Sequence, residues 1–182
     1  MKNLEIYIHI PFCVRKCEYC DFLSFPADDD AKLRYVKGLM AEMIFYGPLM
    51  KNYQVSSVYI GGGTPSSIDE QWIAALMEGV FDCFNVLPDA EISIECNPGT
   101  LSREKLLAYR DAGINRLSIG LQSANNDELK LLGRIHTFEQ FVTNYEVARN
   151  VGFKNINVDL MYGLPGLSLI HISEPTRQEA IS

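Results

Sequence analysis

The feature that most constrains the fold is a regular alternation of short β-rich runs with longer helix-like segments. The predicted strands are 4–10, 56–60, 91–95, 116–120 and 155–160, and the predicted helices are about 31–46, 68–83, 102–112, 125–132 and 138–151. Because two parallel strands joined by a helix form a right-handed unit, this order predicts an α/β fold around a parallel sheet. Such units build either a barrel or an open doubly wound sheet, and in both the chemistry gathers at the carboxyl ends of the strands.

Polar or glycine-rich residues follow each predicted strand. They are the cysteine loop that starts at Cys13 and the segments 61–65, 95–99, 122–123 and 163–166. The three glycines of 61–63 suit either a tight exit from the strand or the close approach of the backbone to a ligand. The segment lacks both the G-x-G-x-x-G pattern and the Walker lysine, so neither a dinucleotide loop nor a phosphate loop is favoured.

Three closely spaced cysteines, Cys13, Cys17 and Cys20, occupy the loop after the first strand. Three thiolates can hold three corners of a cubane iron–sulfur cluster and leave one iron open to another ligand. Structural zinc normally takes a fourth protein ligand, and the next cysteines are distant, at Cys83 and Cys96. The spacing therefore favours the cluster, with structural zinc or ordinary core cysteines as the alternatives.

Charge and hydropathy argue against nucleic acid as a partner and against a transmembrane segment. The net charge of −7 and the lack of a basic stretch argue against nucleic acid. No signal peptide is recognisable, and no apolar run reaches transmembrane length. We therefore expect a cytoplasmic protein in a reducing compartment, where clustered cysteines are more often metal ligands than disulfides.

The last residues, 167–182, look foreign to the rest of the chain. Residues 167–177 correspond one for one to the translation of a transposase-derived adapter used in DNA sequencing libraries, and an index sequence accounts for 178–182. A native amphipathic tail is the alternative. We expect 1–166 to be an incomplete core domain and exclude 167–182 from fold reasoning, so His171 and Glu174 receive no role.

Taken together, the motifs at the strand ends resemble those of the radical S-adenosylmethionine superfamily, and in particular its oxygen-independent coproporphyrinogen III oxidase-like branch. The resemblance rests on YIHIPFC-x3-C-x2-C from residue 7, GGGTPS from 61, E-x-NPG from 95, GLQS from 120 and DLMYGLPG from 159. It runs in order from about residue 4 to residue 166. It implies an α/β fold, a partial (β/α)6 radical S-adenosylmethionine barrel that is truncated near its fifth strand.

The resemblance also implies a cofactor pair. Cys13, Cys17 and Cys20 would ligate three irons of a [4Fe–4S] cluster, and S-adenosylmethionine would chelate the fourth iron through its amino and carboxylate groups. Members of the superfamily use an electron from this cluster to cleave S-adenosylmethionine to methionine and a 5′-deoxyadenosyl radical. The positions that match the cofactor pocket are Tyr7, Tyr19, Gly62, Gly63, Thr64, Glu95, Gln122, Arg134 and Asp159, with Tyr19 near adenine and residues 62–64 at the methionine end.

One position departs from the oxidase pattern, which has a further cysteine two places after the third. Phe22 stands there, and its Cys-Asp-Phe setting resembles the HemW heme chaperone group, which is understood to bind heme and pass it to respiratory proteins. Heme handling is thus implied, with oxidative decarboxylation of coproporphyrinogen III as the alternative. The implied partners are heme or a porphyrinogen, an electron donor such as flavodoxin or ferredoxin, and heme-acceptor proteins. No residue of this chain can be assigned to a heme site.

Overall fold

The computed structural model describes residues 2–164. Five parallel strands form one sheet: β1 (Lys2–Ile10), β2 (Tyr53–Gly62), β3 (Val86–Cys96), β4 (Arg116–Gln122) and β5 (Asn155–Leu160). The order of the strands in the sheet follows their order in the chain, without the reversal that defines a doubly wound sheet. This is the arrangement of successive barrel units, so the predicted α/β barrel class is confirmed. The predicted foreign segment, 167–182, lies outside the described residues.

Five α-helices connect the strands close to the predicted places. They are α1 (Asp29–Tyr46), α2 (Glu70–Cys83), α3 (Arg103–Asp111), α4 (Asn126–Leu131) and α5 (Phe138–Asn150). Ser102 caps α3 as predicted, because its side chain accepts a hydrogen bond from the Lys105 amide at 3.2 Å. The predicted stops Gly113 and Gly152 adopt φ angles of 87° and 102°, which a glycine reaches without strain.

Strands β2 and β3 begin earlier than predicted. Val55 pairs with Val86, five residues before the predicted start of β3 at residue 91. The alternating pattern used for the prediction covers only the part of the strand whose side chains are sorted between two faces. Backbone pairing with a neighbouring strand extends the element beyond that part.

The two faces of the sheet differ in chemistry. The outer face carries buried aliphatic side chains, among them Ile10, Ile60, Ile94 and Ile119, which pack against the helices in one hydrophobic core. Burying each such side chain contributes about 1.5–3 kcal/mol relative to leaving it exposed. Because strand side chains alternate between faces, the residues between them line the concave inner face, and there they are mostly polar. The inner face of the sheet therefore offers a polar, concave surface at the carboxyl ends of the strands.

Within residues 2–164, none of the helices is both long and apolar enough to cross a membrane.

Candidate functional site

A cavity of about 220 Å³ lies at the carboxyl ends of the strands. All the sequence-predicted site residues except Tyr7 line it. They are Cys13, Cys17, Cys20, Tyr19, Gly62, Gly63, Thr64, Glu95, Gln122, Arg134 and Asp159. The cavity thus brings together residues from all five strand ends, as the parallel sheet predicts.

The glycine turn after β2 forms one wall through its backbone. The Gly63 amide donates to the Ile10 carbonyl and the Thr64 amide to the Phe12 carbonyl, each at 2.8 Å. A Cβ at Gly63 would lie 2.8 Å from the Phe12 oxygen and 2.9 Å from the Cys13 sulfur. The close approach of this turn to the cysteine loop therefore requires glycine. The Thr64 hydroxyl completes the contact, 3.4 Å from the Cys13 sulfur.

Glu95 is held in place at the end of β3. Its Oε1 accepts a hydrogen bond from the Tyr59 hydroxyl at 2.8 Å, and its Oε2 accepts one from the Gly62 amide at 3.0 Å. Burial, together with the hydrogen bond and charge of Glu95, raises the pKa of Tyr59, so the phenol remains a donor. The carboxylate is therefore fixed between β2 and β3 while one side of it faces the cavity.

Arg134 connects the end of β4 to the cysteine loop. Its guanidinium donates to the Gly120 carbonyl at 2.6 Å, to the Tyr19 hydroxyl at 3.4 Å and to the Cys17 sulfur at 3.8 Å. Its Nε is buried without a hydrogen-bond partner among the described residues. Burial raises the pKa of Tyr19, and the guanidinium opposes that shift. A half-buried cation with a donor to spare suits a carboxylate ligand.

The three cysteines share the cavity without converging on one point. Cys13 is buried, and Cys17 and Cys20 are half-buried. The Cys20 amide donates to the Cys17 carbonyl at 3.1 Å, so the last two lie on one turn. Within residues 2–164, no group of three or more histidine, cysteine or acidic side chains is arranged to hold a metal ion.

Gln122 and Asp159 form the opposite wall. Gln122 has a φ of 72°, the one non-glycine residue with positive φ among those described, and the pairing of β4 with β5 shifts register there. Such a backbone costs on the order of 1–3 kcal/mol and is found mainly at functional sites. The Asp159 carboxylate accepts hydrogen bonds from the Ser118 hydroxyl at 3.1 Å and the Asn157 amide at 2.7 Å.

Tyr7 lies beside the cavity rather than in its wall. Its ring stacks on that of Tyr59 with 6.1 Å between centroids, and its hydroxyl lies 3.1 Å from His9 Nδ1. Through Tyr59 it is one contact away from Glu95. The resemblance implies a role for Tyr7 at the cofactor. The structure places Tyr7 on the inner face of the sheet but outside the cavity wall, and its role stays a prediction.

Sequence reasoning missed residues that the structure places at the site. Tyr59 holds Glu95, and Asn97 and Ser118 line the cavity. Alternation along β2 could have indicated Tyr59, because its neighbours Val58 and Ile60 are apolar and buried. The same alternation along β4 could have indicated Ser118, which lies between the buried Leu117 and Ile119.

The residues present fit the implied cofactor pair. Three thiols on one loop suit an iron–sulfur cluster, and a glycine cradle that a Cβ would fill leaves room beside it. The carboxylates of Glu95 and Asp159 suit an amino group and ribose hydroxyls, and the unpartnered Nε of Arg134 suits a carboxylate.

Comparison with known proteins agrees with this chemistry. The sequence profile of the Radical SAM superfamily matches residues 7–174. The chain belongs to the radical SAM superfamily. Membership in this superfamily implies a [4Fe–4S] cluster and S-adenosylmethionine. The match reaches eight residues into 167–182 (174 − 166), a segment whose predicted foreign origin stays a prediction.

The curated relatives of this radical SAM chain include heme chaperones and a coproporphyrinogen oxidase-like protein. The heme chaperone HemW of Bacillus subtilis (strain 168) is 40% identical over 167 residues, which cover 91% of this chain and 44% of the relative. HemW of Escherichia coli (strain K12) is 40% identical over 172 residues, again 91% of this chain and 44% of the relative. The oxygen-independent coproporphyrinogen-III oxidase-like protein HemZ of Bacillus subtilis (strain 168) is 39% identical and is covered over 34% of its length. The chain thus spans less than half the length of these relatives.

A solved structure shows that the similarity extends to the fold. Coproporphyrinogen III oxidase, HemN, from Escherichia coli, described as a radical SAM enzyme, superposes with a TM-score of 0.87 at 32% identity. The superposition covers 98% of this chain and 41% of HemN. The five-stranded unit described above therefore corresponds to part of a larger radical SAM protein.

Proposed function

We propose that this chain is the cofactor-binding part of a heme chaperone of the HemW type. The observation that carries the proposal is Phe22, which stands in the cavity wall where the oxidase pattern has a cysteine. A phenyl ring can neither ligate iron nor supply a thiol. The curated HemW relatives at 40% identity support the same choice.

In this proposal Cys13, Cys17 and Cys20 hold three irons of the [4Fe–4S] cluster. The three thiols lie on one loop and line a single cavity, which is the placement that a shared cluster requires. Thr64, whose hydroxyl lies 3.4 Å from the Cys13 sulfur, would lie next to the bound cluster.

The remaining cavity walls would hold S-adenosylmethionine. The turn 62–64 and Glu95 would receive its methionine end, and Tyr19 would lie against adenine. Arg134 would pair with the carboxylate, and Gln122 and Asp159 would take polar groups of the ribose. Tyr7 would act from beside the cavity through Tyr59.

When bound, the cluster and S-adenosylmethionine supply one-electron radical chemistry. The contribution of this chain is to bind and orient them and to restrict access of water. Tyr59 and the Gly62 amide keep Glu95 oriented toward the cavity, and the Gly120 carbonyl keeps the guanidinium of Arg134 in the opposite wall.

The alternative function is oxidative decarboxylation of coproporphyrinogen III in heme biosynthesis. The superposition on HemN supports this alternative, because the two share the whole described architecture at 32% identity. If the alternative holds, the protein is an enzyme of the coproporphyrinogen dehydrogenase type. Phe22 argues against it.

The proposed partners follow from these two functions. They are heme or a porphyrinogen, an electron donor such as flavodoxin or ferredoxin, and heme-acceptor proteins. A cytoplasmic location stays part of the proposal. The foreign origin of 167–182 is likewise proposed, and codons in the underlying DNA that differ from the adapter would exclude it.

The test uses protein from the complete gene, reconstituted anaerobically with iron and sulfide. The visible spectrum after gel filtration measures retained heme, and product analysis measures turnover of coproporphyrinogen III with S-adenosylmethionine and a reductant. We expect retained heme and no decarboxylated product. Turnover would replace the chaperone by the oxidase, and zinc in place of iron and sulfide would exclude both.

A further inference from the structure

Lys105 occupies an unusual place for a lysine. It is the third residue of α3 (Arg103–Asp111), where the helix end carries partial positive charge and where a capping box would place glutamate or glutamine. Burial lowers the pKa of Lys105, and the charges of Glu70 and Asp69 oppose this. A half-buried cation at a helix amino terminus is unfavourable unless specific acceptors hold it.

The acceptors are two backbone carbonyls of another loop. Lys105 Nζ donates to the Ser66 oxygen at 2.7 Å and to the Ile68 oxygen at 2.8 Å. Both residues are buried, and they follow the glycine turn of the cavity by a few positions. Lys105 therefore ties the start of α3 to the loop between β2 and α2.

Side chains reinforce the same connection. The Ser66 hydroxyl lies 2.6 Å from the Thr100 hydroxyl and accepts the Asn97 amide at 3.0 Å, while the Thr100 hydroxyl donates to the Asn97 carbonyl at 2.9 Å. Because Thr100 donates to Asn97, the Ser66 hydroxyl is the donor to Thr100. Every hydroxyl in this ring is thus satisfied, and the ring joins the loop after β2 to the loop after β3.

The connection leads directly to the cavity. The Ser67 amide donates to the Thr64 carbonyl at 2.8 Å, so the anchored segment continues into the glycine turn. On the other side Asn97 follows Glu95 by two residues, and Glu95 accepts the Gly62 amide at 3.0 Å. A shift of one loop against the other would separate Gly62 from Glu95.

We propose that Lys105 is a positioning residue, which latches the 61–67 segment onto the 95–101 segment and so preforms the part of the cavity around Gly62, Thr64 and Glu95. This rests on the proposed function in one respect, namely that this part of the cavity receives the amino-acid end of S-adenosylmethionine. The latch itself is a property of the chain without cofactor.

The experiment compares Lys105→Met, which keeps the length of the side chain without its charge, with Lys105→Arg, which keeps donors for two carbonyls. Lys130→Met is the matched control, because Lys130 is an exposed lysine on α4 whose side chain pairs with Asp127 at 3.1 Å. Amide hydrogen exchange of peptides covering 61–69 is measured without cofactor. Affinity for S-adenosylmethionine and iron content are measured after anaerobic reconstitution.

We expect Lys105→Met to speed exchange in 61–69 by about tenfold and to weaken S-adenosylmethionine binding by a similar factor, with unchanged iron content. Lys105→Arg should recover most of both effects, and Lys130→Met should match the parent chain. Should Lys105→Met fail to fold, Thr100→Val removes the other arm of the latch and should change exchange in the same direction. Exchange in 61–69 that is unchanged in both variants would overturn the latch. If the parent chain binds no S-adenosylmethionine, the proposed function fails, and the exchange result still decides the role of Lys105.

Discussion

Two of the loops that line the cavity, the glycine turn and the cysteine loop, differ in how the rest of the protein holds them. The glycine turn after β2 passes into buried Pro65 and Ser66 and is fixed by backbone bonds to β1 and by Lys105. The cysteine loop after β1 is exposed over most of its length. Val14, Phe22 and Leu23 are 59%, 69% and 77% exposed.

The cysteine loop is anchored at its first residue, where the Thr64 hydroxyl lies 3.4 Å from the Cys13 sulfur, and further along by the segment after α4. The Glu18 amide donates to the Leu132 carbonyl at 3.1 Å, and Arg134 contacts Cys17 and Tyr19. The exposed ion pair of Arg15 with Glu18, 3.8 Å apart, contributes little. The comparison indicates that the glycine turn is preformed, whereas the cysteine loop makes fewer contacts with the rest of the protein. Loss of the metal should therefore change the cysteine loop and leave the glycine turn as it is.

The largest effect is expected for Cys17→Ala. Removing one of three thiolates should abolish the visible absorption of the reconstituted cluster and most of the bound iron. The far-ultraviolet circular dichroism should stay unchanged, because the loop contributes little to the core. Cys83→Ala, at the end of α2 and outside the cavity wall, is the control and should retain the cluster. A Cys17→Ala protein with a normal cluster spectrum would remove Cys17 from the ligand set.

A smaller effect is expected for Gly63→Ala, which tests whether the glycine turn is rigid. The added Cβ would lie 2.8 Å from the Phe12 carbonyl oxygen, a backbone atom that cannot rotate away. We expect unfolding free energy to fall by about 1–3 kcal/mol and S-adenosylmethionine binding to be lost. Gly38→Ala on α1 is matched, since nothing lies within 4 Å of its added Cβ, and it should be neutral or stabilising. Equal behaviour of the two variants in denaturant titrations would show that the turn yields.

A pH effect should appear in the segment that supports the cysteine loop. His136 is buried, neither ring nitrogen has a hydrogen-bond partner among the described residues, and burial with the Arg134 charge lowers its pKa to about 4 from 6.5. His136 therefore binds a proton below pH 6.5 in the unfolded chain, but only below about pH 4 in the folded chain. This contribution to stability is fully present above pH 6.5 and declines over that interval, by on the order of 1–3 kcal/mol.

His136→Leu should remove that decline, because it leaves no ring to protonate. Denaturant titrations at pH 8 and pH 5 compare the two proteins. The difference between them should be confined to the lower pH. A parallel loss of stability in both proteins would assign the acid sensitivity to other groups.

The smallest effect is expected for Tyr59→Phe in the preformed half. The change removes one donor to Glu95 and leaves the Gly62 amide in place, so affinity for S-adenosylmethionine should fall by about 0.5–1.5 kcal/mol. Calorimetric titration of the reconstituted protein measures it, with Tyr162→Phe, 82% exposed, as the control. An effect as large as that of Gly63→Ala would mean that Glu95 depends on Tyr59 alone.

Local sequence was sufficient for the elements, and the family resemblance supplied most of the candidate site. Alternation and capping predicted each strand and helix, and Gly113 and Gly152 end helices as expected. The motif positions at the strand ends also converge, since parallel strands necessarily place their carboxyl ends at one edge. Tyr7 is the partial exception. It lies within β1, before the end of the strand, and therefore stands beside the cavity and not in its wall.

By itself, then, the sequence determined the α/β alternation, the three-cysteine loop, and the glycines that let the turn after β2 lie close to that loop. These depend on spacing between near neighbours, which side-chain periodicity and steric limits express directly. The alternation alone left a barrel and a doubly wound sheet open; the resemblance implied the barrel, and the strand order confirmed it. Only the tertiary structure revealed the contacts of Tyr59 with Glu95 and of Lys105 with Ser66. Those contacts join residues 36 and 39 positions apart. They depend on strand register and on how α3 packs beside the next loop, and neither is encoded in any short stretch of the chain.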